Sequence, residues 1–121
     1  MDGIHVELND KRKSYIRGCL KRWEDVEDRD AEDWGIKAGL GWVLHKLNLH
    51  EFLNDYRVVA IFIPNKVIDE CRKEWKDNAI EAHWNLGYSR AIFSVLKALD
   101  IKVEPDPIET PIEYITNYYN K

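Results

Sequence analysis

Two rhythms of apolar residues run along this chain, and the switches between them mark out its elements. Positions 4–8 (IHVEL) alternate apolar and polar side chains, the period of a strand with one covered face. From Tyr15 the spacing changes. Tyr15, Ile16, Cys19, Leu20, Trp23 and Val26 recur on one side of a 3.6-residue helix, with Asn9 and Asp10 placed to cap it. Asp30 then caps a second helix, with Glu32 and Asp33 in its first turn and Ile36, Leu40, Val43, Leu44 and Leu47 as its core stripe. A short helical turn around His50 to Leu53 follows.

RVVAIFIP, at 57–64, places six apolar residues in a row from Val58 to Ile63 before Pro64 stops the run. Such a run predicts a strand buried on both faces, at the centre of its sheet. Asn65 is placed to cap a helix carrying Val67, Ile68, Cys71 and Trp75. Asn78 and Glu81 have capping-box spacing, so the helical pattern should break near Asp77 and resume over about 79–99. IKVE at 101–104 alternates again, as a short third strand ended by Pro105 and Pro107. Thr110, Pro111 and Glu113 then predict the start of a C-terminal helix.

The expected order is β-αα-β-αα-β-α. It implies a small α/β domain with a three-stranded sheet, parallel or mixed, and helices packed on it. A mainly helical fold with a minimal sheet is the alternative. No internal repeat, low-complexity tract or linker stands out, so residues 1–121 read as one compact domain.

Composition narrows the class. An apolar fraction of 45% and a charged fraction of 33% are those of a folded chain. A net charge of −4 argues against a general nucleic-acid coat. MDGIHVELND has no apolar signal core, and no apolar run approaches the roughly 18 residues that span a bilayer. The expectation is a cytoplasmic protein without membrane contact. Cys19 and Cys71 sit on apolar helical faces without a CxxC motif, which predicts two buried free thiols.

Charge patterning supplies the candidate chemistry. Lys11 to Trp34 holds a basic block followed by an acidic one. Acids in the first turn of the second helix complement the helix dipole, so the acidic half reads as structural. Lys11, Arg12 and Lys13 break that rule, because a first turn with unpaired N–H groups favours an anion. If the strands run parallel, their carboxyl ends bring Lys11, Arg12 and Lys13 beside Asn65 and Lys66, an anion-binding set for a phosphate-bearing ligand. Asp10, Glu104 and Asp106 would converge there too, and could hold a divalent ion such as Mg²⁺.

No catalytic motif accompanies this set. Gly39–Gly41 follows no strand and is not a dinucleotide fingerprint, and Ser89 lacks the GxSxG elbow. The second helix carries a further apolar face, Trp34, Ala38, Gly41, Trp42 and His45, opposite its aliphatic stripe. Trp34, Trp42 and His45 are the candidate interface. The sequence thus points to a non-enzymatic binding or accessory protein without a cofactor, engaging a protein or an anionic ligand as a homodimer. The alternative is a metal-dependent enzyme acting on a phosphate-containing substrate.

Overall fold

β1 (Gly3–Leu8) and β2 (Val59–Pro64) pair antiparallel, from Gly3 opposite Pro64 to Leu8 opposite Val59. The computed structural model describes residues 2–24 and 30–103. Between the strands lie α1 (Asp10–Trp23), α2 (Ala31–Lys46) and a 3-10 turn at His50–Phe52. After β2 come α3 (Asn65–Asn78) and α4 (His83–Ala98). Side chains cap α1 and α2, whereas α3 and α4 start after Pro64 and Ala82 without a side-chain cap. The Asn9 side chain accepts from the Arg12 N–H at 2.9 Å, and Asp30 accepts from the Asp33 N–H at 3.0 Å.

Three expectations change. Among the described residues the sheet has two antiparallel strands, so the helix-rich alternative describes the fold better. Ile101 to Val103 do not pair as a strand; Ile101 and Val103 are buried, and the Ile101 N–H donates to the Leu96 carbonyl at 2.9 Å. Alternation there reflects burial of every second side chain without a ladder. β2 is covered on one face only: Ile61 and Ile63 are buried, while Ala60 and Phe62 are exposed, as is Val58 just before the strand. A smaller shift concerns α3, where Pro64 holds the N-cap position and Asn65 is the first helical residue. Glu104 and the predicted C-terminal helix lie outside the described residues.

The chain is built twice over, contrary to the single-copy reading. Residues 13–51 and 65–103 match at a constant offset of 52, without a gap. Ile16, Cys19 and Trp23 correspond to Ile68, Cys71 and Trp75, and all six are buried. Val43, Leu44 and Leu47 correspond to Val95, Leu96 and Leu99, again all buried. Asn48 and Asp100 correspond as well; with φ of 57° and 59° they are the described non-glycine residues in the left-handed region, and each turns the chain out of its helix. One unit is β1-α1-α2 and the other β2-α3-α4. The buried strand residues Val6 and Leu8 match Ile61 and Ile63 at an offset of 55. The three-residue difference is an extra first turn on α1, Asp10 to Arg12, without a counterpart in the second unit.

A pseudo-two-fold axis relates the units through α2 and α4. A Cβ on Gly35 would collide with the Trp84 carbonyl and lie 3.0 Å from the Tyr88 nitrogen. A Cβ on Gly87 would collide with the Glu32 carbonyl and lie 2.9 Å from the Ile36 nitrogen. These are the same contacts with the units exchanged. One turn on, a Cβ on Gly39 would come within 2.9 Å of the Ala91 Cβ. The two helices run in the same sense and touch backbone to backbone, which only glycine permits.

In an isolated helix, Gly→Ala stabilises by about 1 kcal/mol. Here Gly35→Ala and Gly87→Ala should each destabilise the fold by roughly 1–3 kcal/mol or more, because rigid backbone opposes the new methyl. Urea denaturation of the two variants measures this; unchanged or raised stability would contradict the contact. Burial raises the Cys19 thiol well above its ordinary range and pushes Cys71 up to about 11. Neither thiol should react with DTNB at pH 8 in the folded protein, and both should react in urea.

Candidate functional site

Arg12 and Lys13 turn inward. Arg12, in the extra turn of α1, donates from Nη1 to the Glu7 carbonyl at 2.7 Å and from Nε to the Ala98 carbonyl at 3.0 Å. Its Nη2 meets Asp100 Oδ2 at 2.7 Å. One guanidinium thus ties the end of β1 to the end of α4. Lys13 is 1% exposed, and its ammonium donates to the carbonyls of Asp55 and Arg57. Arg17 donates to the Leu53 carbonyl. The apparent conflict with the helix dipole is therefore compensated from elsewhere in the chain. These cations satisfy carbonyls of loops and helix ends, and Arg57 in turn holds the Asp55 carboxyl down to about 2 by hydrogen bonding.

The antiparallel pairing separates the proposed anion-binding set. Lys11, Arg12 and Lys13 follow the end of β1, while Asn65 and Lys66 follow the end of β2, at the opposite end of the sheet. A six-residue strand is roughly 20 Å long, so the two groups do not share one cleft. Asp10 lies in the first turn of α1, and Glu104 and Asp106 lie outside the described residues. Among the described residues no cluster of three or more His, Cys, Asp or Glu is placed to hold a metal ion. The acidic half is structural where it is described: Asp30 caps α2, Glu32 accepts from Arg90 at 2.7 Å, and Asp33 accepts from the Trp23 indole at 3.2 Å.

The outer face of α2 presents what the two units do differently. Trp34 is 44% exposed, Gly41 and His45 are exposed, and Ala38 and Trp42 are half-buried. Trp42 also packs against the edge of the core, so Trp34 is the freer of the two tryptophans. The Lys37 ammonium lies 5.8 Å from the Trp34 ring and donates to the Glu24 carbonyl at 2.8 Å. On α4 the residues equivalent to Lys37, Gly41 and Trp42 are Ser89, Phe93 and Ser94, and all three are buried.

Gly41 is the sharpest departure. Its Cβ position has no described atom within 4 Å, so none of the described residues requires glycine there. A glycine in mid-helix costs about 1 kcal/mol relative to alanine. It opens a groove of about 360 Å³ between α1 and α2, lined by Leu20, Trp23, Glu24, Lys37, Leu40 and Gly41. In the second unit the equivalent residue, Phe93, is only 9% exposed. The fold buries a phenyl ring there in one unit and has a bare backbone in the other.

A second cleft, of about 450 Å³, adjoins the first across Leu20 and Glu24. Arg17, Lys21 and His50 stand around it, with Leu20 and Leu53 as apolar lining. The residues equivalent to Leu20 and His50 are Arg72 and Lys102, and Arg72 Nε donates to the Lys102 carbonyl at 2.7 Å. The second unit bridges what the first leaves open. Neither cleft was visible from periodicity; both follow once the two halves are aligned.

No family model matches the chain, and no match was found among curated proteins or solved structures. None of the described helices is long and apolar enough to cross a membrane.

Lys13→Met should strip donors from two carbonyls and destabilise the fold by about 1–3 kcal/mol. Lys21→Met, on the exposed side of the same helix, should stay within about 0.5 kcal/mol of wild type. Paired urea titrations check the contrast; equal losses would mean that Lys13 is not a structural clamp.

Proposed function

We propose that this protein is a non-enzymatic binding module whose docking surface is the outer face of α2, centred on the groove at Gly41. The observation that carries the reading is the exchange of Gly41 for a buried Phe93 between otherwise corresponding positions. A glycine kept against helix propensity, beside an apolar floor of Leu20, Trp23 and Leu40, suits an incoming side chain. Phe93 at the matching position of the second unit supports an aromatic side chain as the occupant. Aromatic anchors in desolvated pockets dominate protein interfaces, and Trp34 and Trp42 enrich the surrounding face in the same way.

Indole is the simplest probe. Titrated into the wild type, it should shift the amide resonances of Lys37, Leu40 and Gly41 in a saturable manner. Gly41→Phe should abolish those shifts and raise stability by at least about 1 kcal/mol, through helix propensity and ring burial. Indole shifts that survive in Gly41→Phe, or a destabilised variant, would refute the reading.

A second reading attaches to the adjoining cleft, for a small anion carrying an apolar group. Its support is the Arg17 guanidinium, anchored on the Leu53 carbonyl, with Lys21 one turn along and His50 also lining the cleft. Phenyl phosphate should bind the wild type and lose at least tenfold in affinity in Lys21→Ala, measured by calorimetry. Equal affinity in the variant removes this reading and leaves the groove untouched.

A further inference from the structure

We infer that the occupant of the Gly41 groove is a second copy of this chain, which inserts its Trp34. The inference rests on the docking surface proposed above and names the partner. Trp34 and Gly41 lie on one stripe of α2, seven residues and about two turns apart, roughly 10 Å along the axis. Trp34 is an exposed aromatic projection; Gly41 marks a recess. Two α2 helices laid antiparallel about a two-fold axis between Lys37 and Ala38 place each Trp34 over the other copy's Gly41. Both insertions then form at once. A closed, self-complementary contact of this kind is what a two-fold dimer requires.

Charge supports the same arrangement. The axis that matches Trp34 with Gly41 also sets Asp30, at the start of α2, opposite His45 in the last turn of the other copy. Antiparallel α2 helices oppose their dipoles, positive end to negative end. Half-buried Ala38 near the axis allows close approach. The two Lys37 ammonium groups come near each other, and Glu24, which lines each groove, supplies the opposing charge. The second unit offers no such pair, because Leu86 and Phe93 stand at the positions of Trp34 and Gly41 and Phe93 is buried.

Sedimentation velocity over a range of concentrations tests this with three samples of the full chain and one mixture. Wild type should sediment as a dimer. Trp34→Ala, which keeps the recess but lacks the projection, should be monomeric at the same concentration. So should Gly41→Phe, which keeps the projection and fills the recess. An equimolar mixture of the two variants retains one of the two insertions, and should form a heterodimer where neither variant alone associates. Overlaid amide spectra of the two variants with wild type confirm that each is folded. A wild type that stays monomeric into the millimolar range overturns the inference; indole binding in the same sample would leave the docking surface standing. A dimer that persists in both variants overturns it by placing the contact elsewhere, and so does a mixture that fails to associate.

Discussion

The contact of α2 with α4 at Gly35 and Gly87 sets the geometry that everything else in this molecule follows. Two helices meet backbone to backbone, with each glycine against a carbonyl of the other helix. The close approach brings Ile36, Leu40, Val43 and Leu44 into one core with Tyr88, Ile92, Val95 and Leu96. A two-stranded sheet is not stable alone and needs such a partner. Val6, Leu8, Ile61 and Ile63 supply its buried face, leaving Phe62 outside against His5, with ring centroids 5.0 Å apart.

Because the contact is reciprocal, the two βαα units serve as controls for each other. Where they agree, as at Ile16 and Ile68 or Leu44 and Leu96, the residue is explained by the core they share. Where they differ, the difference needs its own cause. The extra turn of α1 has one in Arg12, which joins β1 to the end of α4. Arg72 in place of Leu20 has one in its bond to the Lys102 carbonyl. Gly41 in place of Phe93 has none among the described residues. That is why the groove, and not the basic first turn, carries the functional reading.

Much of the helical framework was legible in the sequence, because caps and 3.6-residue stripes are local. Asp30 caps α2 as its spacing implies, and the helical pattern does break near Asn78. The expected capping box does not form, because Asn78 ends α3, its amide donates to the Glu74 carbonyl, and α4 starts at His83 after Ala82. The second apolar face of α2 was legible for the same reason, but not how far the core would cover it: Trp34 and His45 are exposed and Trp42 is half-buried. Strand surroundings were not legible. An unbroken apolar run from Val58 to Ile63 cannot report how many neighbours the sheet will provide, and parallel and antiparallel pairing were both open to connections of this length. The role of Lys13 was hidden because its carbonyl partners lie about forty residues away, at Asp55 and Arg57. The duplication was readable in principle, from the shared Ile-x-x-Cys-x-Lys-x-Trp of Ile16–Trp23 and Ile68–Trp75. Divergence elsewhere and the extra turn masked it.

If the α2–α4 contact organises the fold, the two helices should open only when the whole molecule does. Native-state hydrogen exchange as a function of urea measures this directly. Amides of residues 36–44 and 88–96 should be the slowest, should share one opening free energy, and should match the global stability from denaturation. Amides of α1 and α3 should exchange through smaller openings. An α2 that opens on its own, well below the global value and apart from α4, would contradict the account.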